Sequence, residues 1–449
     1  MTVLTAPRAA YSGAVLPAQV LRYAAPVLLV AACSGKGQVQ TTTTTSTTGA
    51  SGGTGGANGI GGAGSGGAPA LPCTAGGVSK GPWSLAIDGT SAKIRWEACR
   101  AGTVAEVSYA PEAGGASAKA TATATPFDVM STYTAALNPT VTPDFAGTWY
   151  MHEAALTGLA PATCYAYHLA ADATLAGRFC TARKPGDPLK FMAIGDTNPG
   201  IGPYAAGDLA SVLPLDPDFT LHCGDVQYYS SGLETWASWF PVLEPMLAHG
   251  GFYPAVGNHE SEKPDEYTAY DLRFFGGAGF DGTKDYYRFT SAGVWFFSLD
   301  TELPIDPGSA QGGWLVHGLA EVAQKPGFRF SVVFMHRPLV TCGDTGDNPD
   351  ARAKLEPVFV QNHVALVVQA HMHGYERFDF GNITYVTAAG GGGVIGDVDA
   401  NKARPYCDKR VASGGFRHAV LFDVTTGKLA GTAIDYLGKT QDTFTVVVP

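Results

Sequence analysis

Five short patches in the second half of this 449-residue chain offer carboxylate, phenol, amide and imidazole groups in a definite order. They are Gly195-Asp196, Gly224-Asp225-Val226-Gln227-Tyr228, Gly257-Asn258-His259-Glu260, Val333-Phe334-Met335-His336 and His371-Met372-His373. Donors of this mix suit a pair of metal ions. Two ions about 3.5–4 Å apart can hold an attacking oxygen and a phosphoryl oxygen at once. Such a pair needs a bridging carboxylate, and Asp225 stands between the other groups in chain order. Asp196 and Tyr228 are hard oxygen donors, a phenolate suits a trivalent ion such as Fe(III), and His373 completes that site. Asn258, His336 and His371 suit a divalent ion such as Fe(II), Zn or Mn. On a strand the two rings of His371-Met372-His373 would face one way. The expected turn lets them diverge, one to each ion.

These groups need rigid elements to hold them. Each patch closes an apolar run that reads as a buried strand: Phe191–Ile194, Phe219–Cys223, Phe252–Val256, Phe330–Met335 and Val364–Gln369. A charged ligand at the end of a buried strand marks a site at the carboxyl edge of an α/β sheet. His222, His249, His317 and His363 fall in no such pattern and read as structural. Trp236 and Trp239, three apart on a helix-like stretch, read as core. Gly390–Gly393 follows a strand without a nucleotide-binding pattern and reads as a loop at the rim of the site.

The ordered blocks resemble the calcineurin-like metallophosphoesterase superfamily, and within it the purple acid phosphatase branch. That branch is marked by an aspartate, then Asp-x-x-Tyr, Asn-His-Glu/Asp, Val-x-x-His and His-x-His; Gly374-Tyr375-Glu376-Arg377 extends the last block in the same manner. The resemblance implies an α/β fold, a four-layer α/β/β/α sandwich preceded by a small all-β fibronectin type III-like sandwich. It implies Fe(III) on Asp196, Asp225, Tyr228 and His373, and a divalent Fe, Zn or Mn on Asp225, Asn258, His336 and His371. The implied activity is dimetal-dependent hydrolysis of phosphate esters, phosphomonoesters foremost, by metal-bound hydroxide. His259 would act at the substrate and Glu260 would orient His259 or a metal-bound water. The alternatives are phosphodiester hydrolysis at the same site and a catalytically weak cell-surface binding protein.

Three departures from the family pattern stand out. Asn198 occupies the place of a second glycine in the first block, and Ala370 that of the glycine before His371. The extra histidines that plant-type members carry after Val-x-x-His are replaced here by Arg337-Pro338-Leu339-Val340-Thr341-Cys342. A guanidinium matches phosphate oxygens, so Arg337 is a candidate for the missing contact, with pairing to a surface carboxylate as the alternative.

The N-terminal part reads as export machinery. Leu28-Leu29-Val30-Ala31-Ala32-Cys33 ends an apolar segment with Arg8 and Arg22 upstream, which resembles a bacterial lipobox with Cys33 as the lipid-bearing residue. Residues 1–33 are then a lipoprotein signal peptide. Residues 34–72, rich in Thr, Gly and Ser, form a flexible linker. The expected location is the cell envelope, lipid-anchored and periplasmic or surface-exposed, with the membrane as partner through Cys33.

Residues 73–185 read as the fibronectin type III-like sandwich and 186–449 as the catalytic domain. In the former, Ala92, Ile94, Trp96 and Ala98 alternate with Ser91, Lys93, Arg95 and Glu97, one set inward and one outward. The run from Leu156 to Tyr165 resembles a tyrosine corner. Eight cysteines fit an oxidising compartment. Cys164 and Cys180 lie symmetrically about Asp172 and pair across a hairpin; Cys73–Cys99 and Cys342–Cys407 are the simplest remainder, and Cys223 reads as a free core thiol. A net charge of −10 without a basic cluster argues against nucleic acid as a partner and leaves a small phosphorylated substrate.

Overall fold

Alternation along the buried strands dictates the layering. In β8 (Leu189–Ile194), Leu189, Phe191 and Ala193 face one core while Met192 and Ile194 face another. In β14 (Phe330–Met335), Phe330, Val332 and Phe334 join the first core, and Val333 and Met335 a third. A strand apolar on both faces must be covered on both. The first core is therefore the interface of two sheets, and the other two are covered by helices. Helices α1 (Tyr204–Val212) and α2 (Trp236–Ala248) lie over the first sheet. Helices α4 (Ala310–Val322) and α5 (Pro349–Gln361) lie over the second, and the short α3 spans Asn258–Ser261. The result is a mixed α/β architecture in helix–sheet–sheet–helix order.

This computed structural model describes residues 73, 77–102, 105–129, 146–228, 235–261, 274–276, 281–283 and 285–448. The expected signal peptide, Cys33 and the linker lie outside the described residues. The first sheet contains β8, β9 (Phe219–His222) and β10 (Gly251–Pro254) in parallel, with β19 (His418–Thr425), β20 (Lys428–Asp435) and β21 (Thr440–Val446) antiparallel on one side. The second runs β11 (Asp281–Gly282), β12 (Tyr287–Ser291), β13 (Val294–Leu299), β14, β15 (Val364–Gln369), β17 (Ile383–Ala388), β16 (Tyr375–Phe380) and β18 (Arg410–Gly414). The expected strands recur within two residues. Strand β10 stops at Pro254 rather than Val256, although Ala255 still donates to the His222 carbonyl.

The all-β part comprises β1 (Val78–Leu85), β2 (Ser91–Ala98), β3 (Glu106–Pro111), β4 (Ala118–Val129), β5 (Gly147–Thr157), β6 (Cys164–Leu169) and β7 (Asp172–Cys180). It has its own core around Ile94, Trp96, Val107, Leu156, Tyr165 and Phe179. It is nevertheless continuous with the first sheet, because Ser84 of β1 pairs with Gly251 of β10. Trp83 and Leu85 enter the core beneath α2. Residues 68–449 form one compact unit.

The strict in–out alternation expected of β2 fails at its second half. Arg95 and Glu97 are buried: Arg95 bonds Glu153 and the carbonyls of Phe274 and Gly276, and Glu97 pairs with Lys80. The face meant for solvent is covered by neighbouring segments, and burial of charge is tolerated because each is paired. Disulfides join Cys73 to Cys99, Cys164 to Cys180 and Cys342 to Cys407, and Cys223 is a buried free thiol. The second follows from the hairpin register, which sets Cys164 opposite Cys180.

Candidate metal centre

Strands β8, β9, β10, β14 and β15 release the five patches at one edge of the two sheets. The loops after β8 and β9 are zipped together: Asp196 donates its backbone N–H to Gly224 O, and Thr197 to Asp225 O. This sets the two aspartates side by side. Asp196, Asp225 and His371 all have positive φ, at 58°, 48° and 69°. Left-handed backbone is costly for residues with a Cβ and persists where the surroundings impose it, often at functional sites. Gly391 and Gly393 donate to the carbonyls of Gly195 and Asp196. The Gly390–Gly393 loop beside the site is thus buried, and its backbone supports Asp196.

Two clusters of donor atoms result. In one, Nε2 of His373 lies 3.0 Å from Asp196 Oδ1, and the Tyr228 hydroxyl lies 3.1 Å from that nitrogen and 3.4 Å from that oxygen. In the other, Nε2 of His336 lies 3.0 Å from Asn258 Oδ1, 3.1 Å from His371 Nδ1 and 3.3 Å from Asp225 Oδ2. Ions bound at about 2.1 Å hold neighbouring donors about 3.0 Å apart in octahedral and about 3.4 Å apart in tetrahedral geometry. Both clusters therefore fit a metal ion. The His371 N–H donates to Asp196 Oδ2 at 3.2 Å, tying one cluster to the other.

Outer contacts aim the rings. Nδ1 of His336 lies 2.9 Å from the Cys223 carbonyl, and Nδ1 of His373 lies 2.7 Å from that of Val394. A carbonyl only accepts, so both Nδ1 atoms carry hydrogen and each Nε2 is turned to its cluster. Behind Asp196, the Thr197 hydroxyl donates to Val226 O and accepts from Nε2 of His222, while the Trp239 indole donates to the same carbonyl. Burial pushes His222 down to about 3, so it is a neutral donor in this network. His222 and Trp239, read from the sequence as structural, steady the two aspartate loops.

The electrostatics match a site shaped for cations. Burial would raise Asp225, but His336 and then His259 hold it well below the usual carboxylate range. Burial would likewise raise Asp196, and His373 pulls it below. Burial opposes charge on His336 and His373 too, yet Asp225 lifts the first to about 10 and Asp196 the second to about 9. Burial and the neighbouring His336 push His371 down to about 4. Protons thus stand where cations could, and binding would displace them.

The remaining expected residues fall into different places. His259 lies at the mouth, its ring 4.3 Å from that of Tyr228 and its Nε2 3.8 Å from Asp225 Oδ2. Glu260, expected to orient His259 or a metal-bound water, is turned to the backbone of its own loop and of the Asp225 loop. It is fully buried and accepts the backbone N–H groups of Gly257, Asp225 and Val226 at 2.7, 2.7 and 2.9 Å. It stitches the Asn258 loop to the Asp225 loop. The closeness of that stitch requires Gly257, where a Cβ would sit 2.3 Å from Asp225 Oδ1. Of the two alternatives for Arg337, the structure shows the pairing with a carboxylate. Its guanidinium forks onto Glu302 at 2.6 and 3.1 Å, and its remaining terminal nitrogen lies 3.1 Å from His371 Nε2.

Of the two departures beside the ligands, Ala370 packs its methyl against Gly195, leaving no room for a Cβ there. Asn198 is buried, with its side-chain oxygen accepting the Gly200 N–H. Glu302 and Thr301, the latter accepting the Arg337 N–H at 2.9 Å, escaped sequence reading. Their signal was another apolar run, β13, closing on Asp300-Thr301-Glu302 at the same edge.

Comparison with known proteins bears on the family and the fold. Residues 189–375 match the calcineurin-like phosphoesterase family model. An uncharacterized protein of Mycobacterium tuberculosis is 30% identical over 266 residues, covering 51% of this chain and 50% of that protein. Purple acid phosphatase 22 of Arabidopsis thaliana is 28% identical over 200 residues, covering 42% and 45%. The chain thus spans about half the length of the curated relatives it matches. A purple acid phosphatase from yellow lupin (Lupinus luteus) seeds shares the fold with a TM-score of 0.66 at 20% identity, over 81% of this chain and 73% of that one. Built on the five strand-end patches, this chain carries a calcineurin-like metallophosphoesterase domain that has purple acid phosphatases among its relatives.

Proposed function

We propose that this protein hydrolyses phosphate esters, phosphomonoesters foremost, at a two-metal centre. The observation that carries the reading is the pair of donor clusters, each spaced for one ion and tied to the other through Asp196 and His371. Asp196, Tyr228 and His373 would hold Fe(III). Asn258, His336 and His371 would hold a divalent Fe, Zn or Mn, with Asp225 between the ions. Bound there, the ions would supply an activated water and positive charge for the phosphoryl oxygens.

The chain's own groups do the rest. Glu260 and the zipped loops hold the aspartates at fixed spacing, so little reorganisation is needed during reaction. His259, at the mouth, is placed to pass a proton to the leaving oxygen or to donate to the phosphoryl group. Arg337, steadied by Glu302, lies against the outer ring nitrogen of His371 and would be the chain's candidate for a contact to a phosphoryl oxygen. Release of p-nitrophenol from p-nitrophenyl phosphate by metal-replete protein is the direct test. Absence of hydrolysis across mono-, di- and triesters would point instead to a binding protein.

The same reading extends to the rest of the chain. Residues 73–185 form a fibronectin type III-like platform for the catalytic part, 186–449, supported by the Ala160 N–H donating to the Tyr165 hydroxyl at 2.8 Å. Cys33 anchors the protein by lipid at the cell envelope, a location that suits three disulfides. Mass analysis of the peptide beginning at Cys33 decides the point, since a free thiol there excludes the anchor.

A further inference from the structure

The histidines of the two clusters are held by different parts of the chain. His336 is fixed by the Cys223 carbonyl just past β9, and the His371 N–H is fixed by Asp196. His373 depends instead on the long segment between β17 and β18. The Val394 carbonyl accepts from its ring, and the Gly396 N–H donates to its carbonyl at 2.9 Å.

That segment is anchored in turn to residues 341–345, after β14. Asp397 donates its N–H to the Asp344 carboxylate at 2.9 Å, and Asn401 donates its own to the Cys342 carbonyl at 2.8 Å. The Asn401 amide and the Arg404 guanidinium reach the carbonyls of Gly343 and Thr345, each at 2.7 Å. The Cys342–Cys407 disulfide closes the same junction covalently, across 65 residues of sequence. Its seat is fixed by the buried Glu376, which accepts from the Thr341 hydroxyl and the Cys342 N–H and pairs with Arg410. Gly343 lies directly against Met372, between the two histidines, where a Cβ would strike the Met372 side chain.

We infer that the Cys342–Cys407 disulfide is a positioning device for His373: opening it weakens the ion at the Tyr228–His373 cluster and leaves the ion at the His336–His371 cluster in place. This rests on the two-metal reading above. A ring aimed by a loop is only as fixed as the loop's anchor, and loss of such outer support costs about 10–100-fold in metal affinity. Cys407 is partly exposed and Cys342 is buried, so a small dithiol meets Cys407 first. Its thiolate attacks Sγ of Cys407, the S–S bond breaks, and Cys342 leaves as a thiolate that takes up a proton. The second thiolate of the dithiol then displaces Cys407 from the mixed disulfide. Two electrons pass to the protein, which gains two thiols, and the dithiol departs as a cyclic disulfide.

The test dialyses metal-replete parent and the Cys342→Ser/Cys407→Ser double variant against graded chelator and counts each ion by elemental analysis. Amide hydrogen exchange at Gly396 is followed in the metal-free proteins. The double variant should bind one ion about 10–100-fold more weakly and the other unchanged, with exchange at Gly396 faster by about tenfold or more. Parent treated with a dithiol, its opened disulfide identified by alkylation and peptide mass, should behave alike and serves if the double variant fails to fold. Asp344→Ala, at an exposed position, removes one anchor and should move both quantities the same way by less. Both ions held as tightly as in the parent, with Gly396 exchange unmoved, overturns the inference, and so does equal weakening of both ions. A parent that binds no metal overturns the two-metal reading, while Gly396 exchange in metal-free protein still decides the role of the disulfide.

Discussion

The hydroxyl of Tyr228 stands 3.1 Å from Nε2 of His373, and both atoms converge on Oδ1 of Asp196. A phenol, an imidazole and a carboxylate from three separate loops meet at one point, and the proposal above gives this set to Fe(III). Tyr228→Phe removes the phenolate and keeps the ring. Iron-loaded protein should show a visible tyrosinate-to-iron absorption band, and the variant should lose it while retaining divalent metal by elemental analysis. A variant as coloured as the parent excludes Tyr228 as a ligand.

His259 touches the ligands without belonging to either cluster of close donor contacts. Its ring packs on Tyr228, and its backbone N–H donates to Asp225 Oδ1 at 3.0 Å. His259→Ala leaves that backbone bond in place. The variant should keep its metal content and lose about 10²–10⁴-fold in kcat, the range of a general acid. Full turnover with full metal content would remove His259 from the mechanism.

Two imidazoles of the metal-free protein hold their protons above the ordinary range near 6.5, His336 to about 10 and His373 to about 9. A histidine raised in the folded state contributes stability that is fully present below its unfolded value and lost as pH rises through the folded one. Metal-free protein should therefore lose Tm between about pH 6.5 and 10, whereas metal-replete protein should not show this loss. Metal uptake near pH 7.5 should also release protons, measurable by titration in weak buffer. A metal-free Tm that climbs across this window contradicts the assignment.

Glu260 is the stitch between two loops, and its loss should register in stability before chemistry. Glu260→Ala leaves the N–H groups of Gly257, Asp225 and Val226 buried without an acceptor, at a cost of about 3–5 kcal/mol. Glu260→Gln keeps one acceptor oxygen and should cost less. Urea unfolding of both variants measures the difference. Equal midpoints for the alanine variant and the parent would show that the loops are held by other means.

Much of the centre was legible in the chain because ligand identity is a local property. A carboxylate, phenol, amide or imidazole carries its donor chemistry wherever it stands, and an apolar run before it announces a buried strand that ends at an edge. Asp196, Asp225, Tyr228, Asn258, His336, His371 and His373 could be singled out on that ground, as could the hairpin that pairs Cys164 with Cys180. What each remaining side chain touches depends on packing between distant segments. Glu260 follows a histidine in sequence, yet its partners are backbone groups 34 and 35 residues away and its own Gly257. Arg95 and Glu97 alternate as surface residues should, and neighbouring segments bury them. Glu302 lies 35 residues before the arginine it grips, at the end of a strand that matches no ligand block. The sequence by itself determined which atoms could bind metal. Only the tertiary structure decided which charges would face them, because a side chain's partners are chosen by close approach in space.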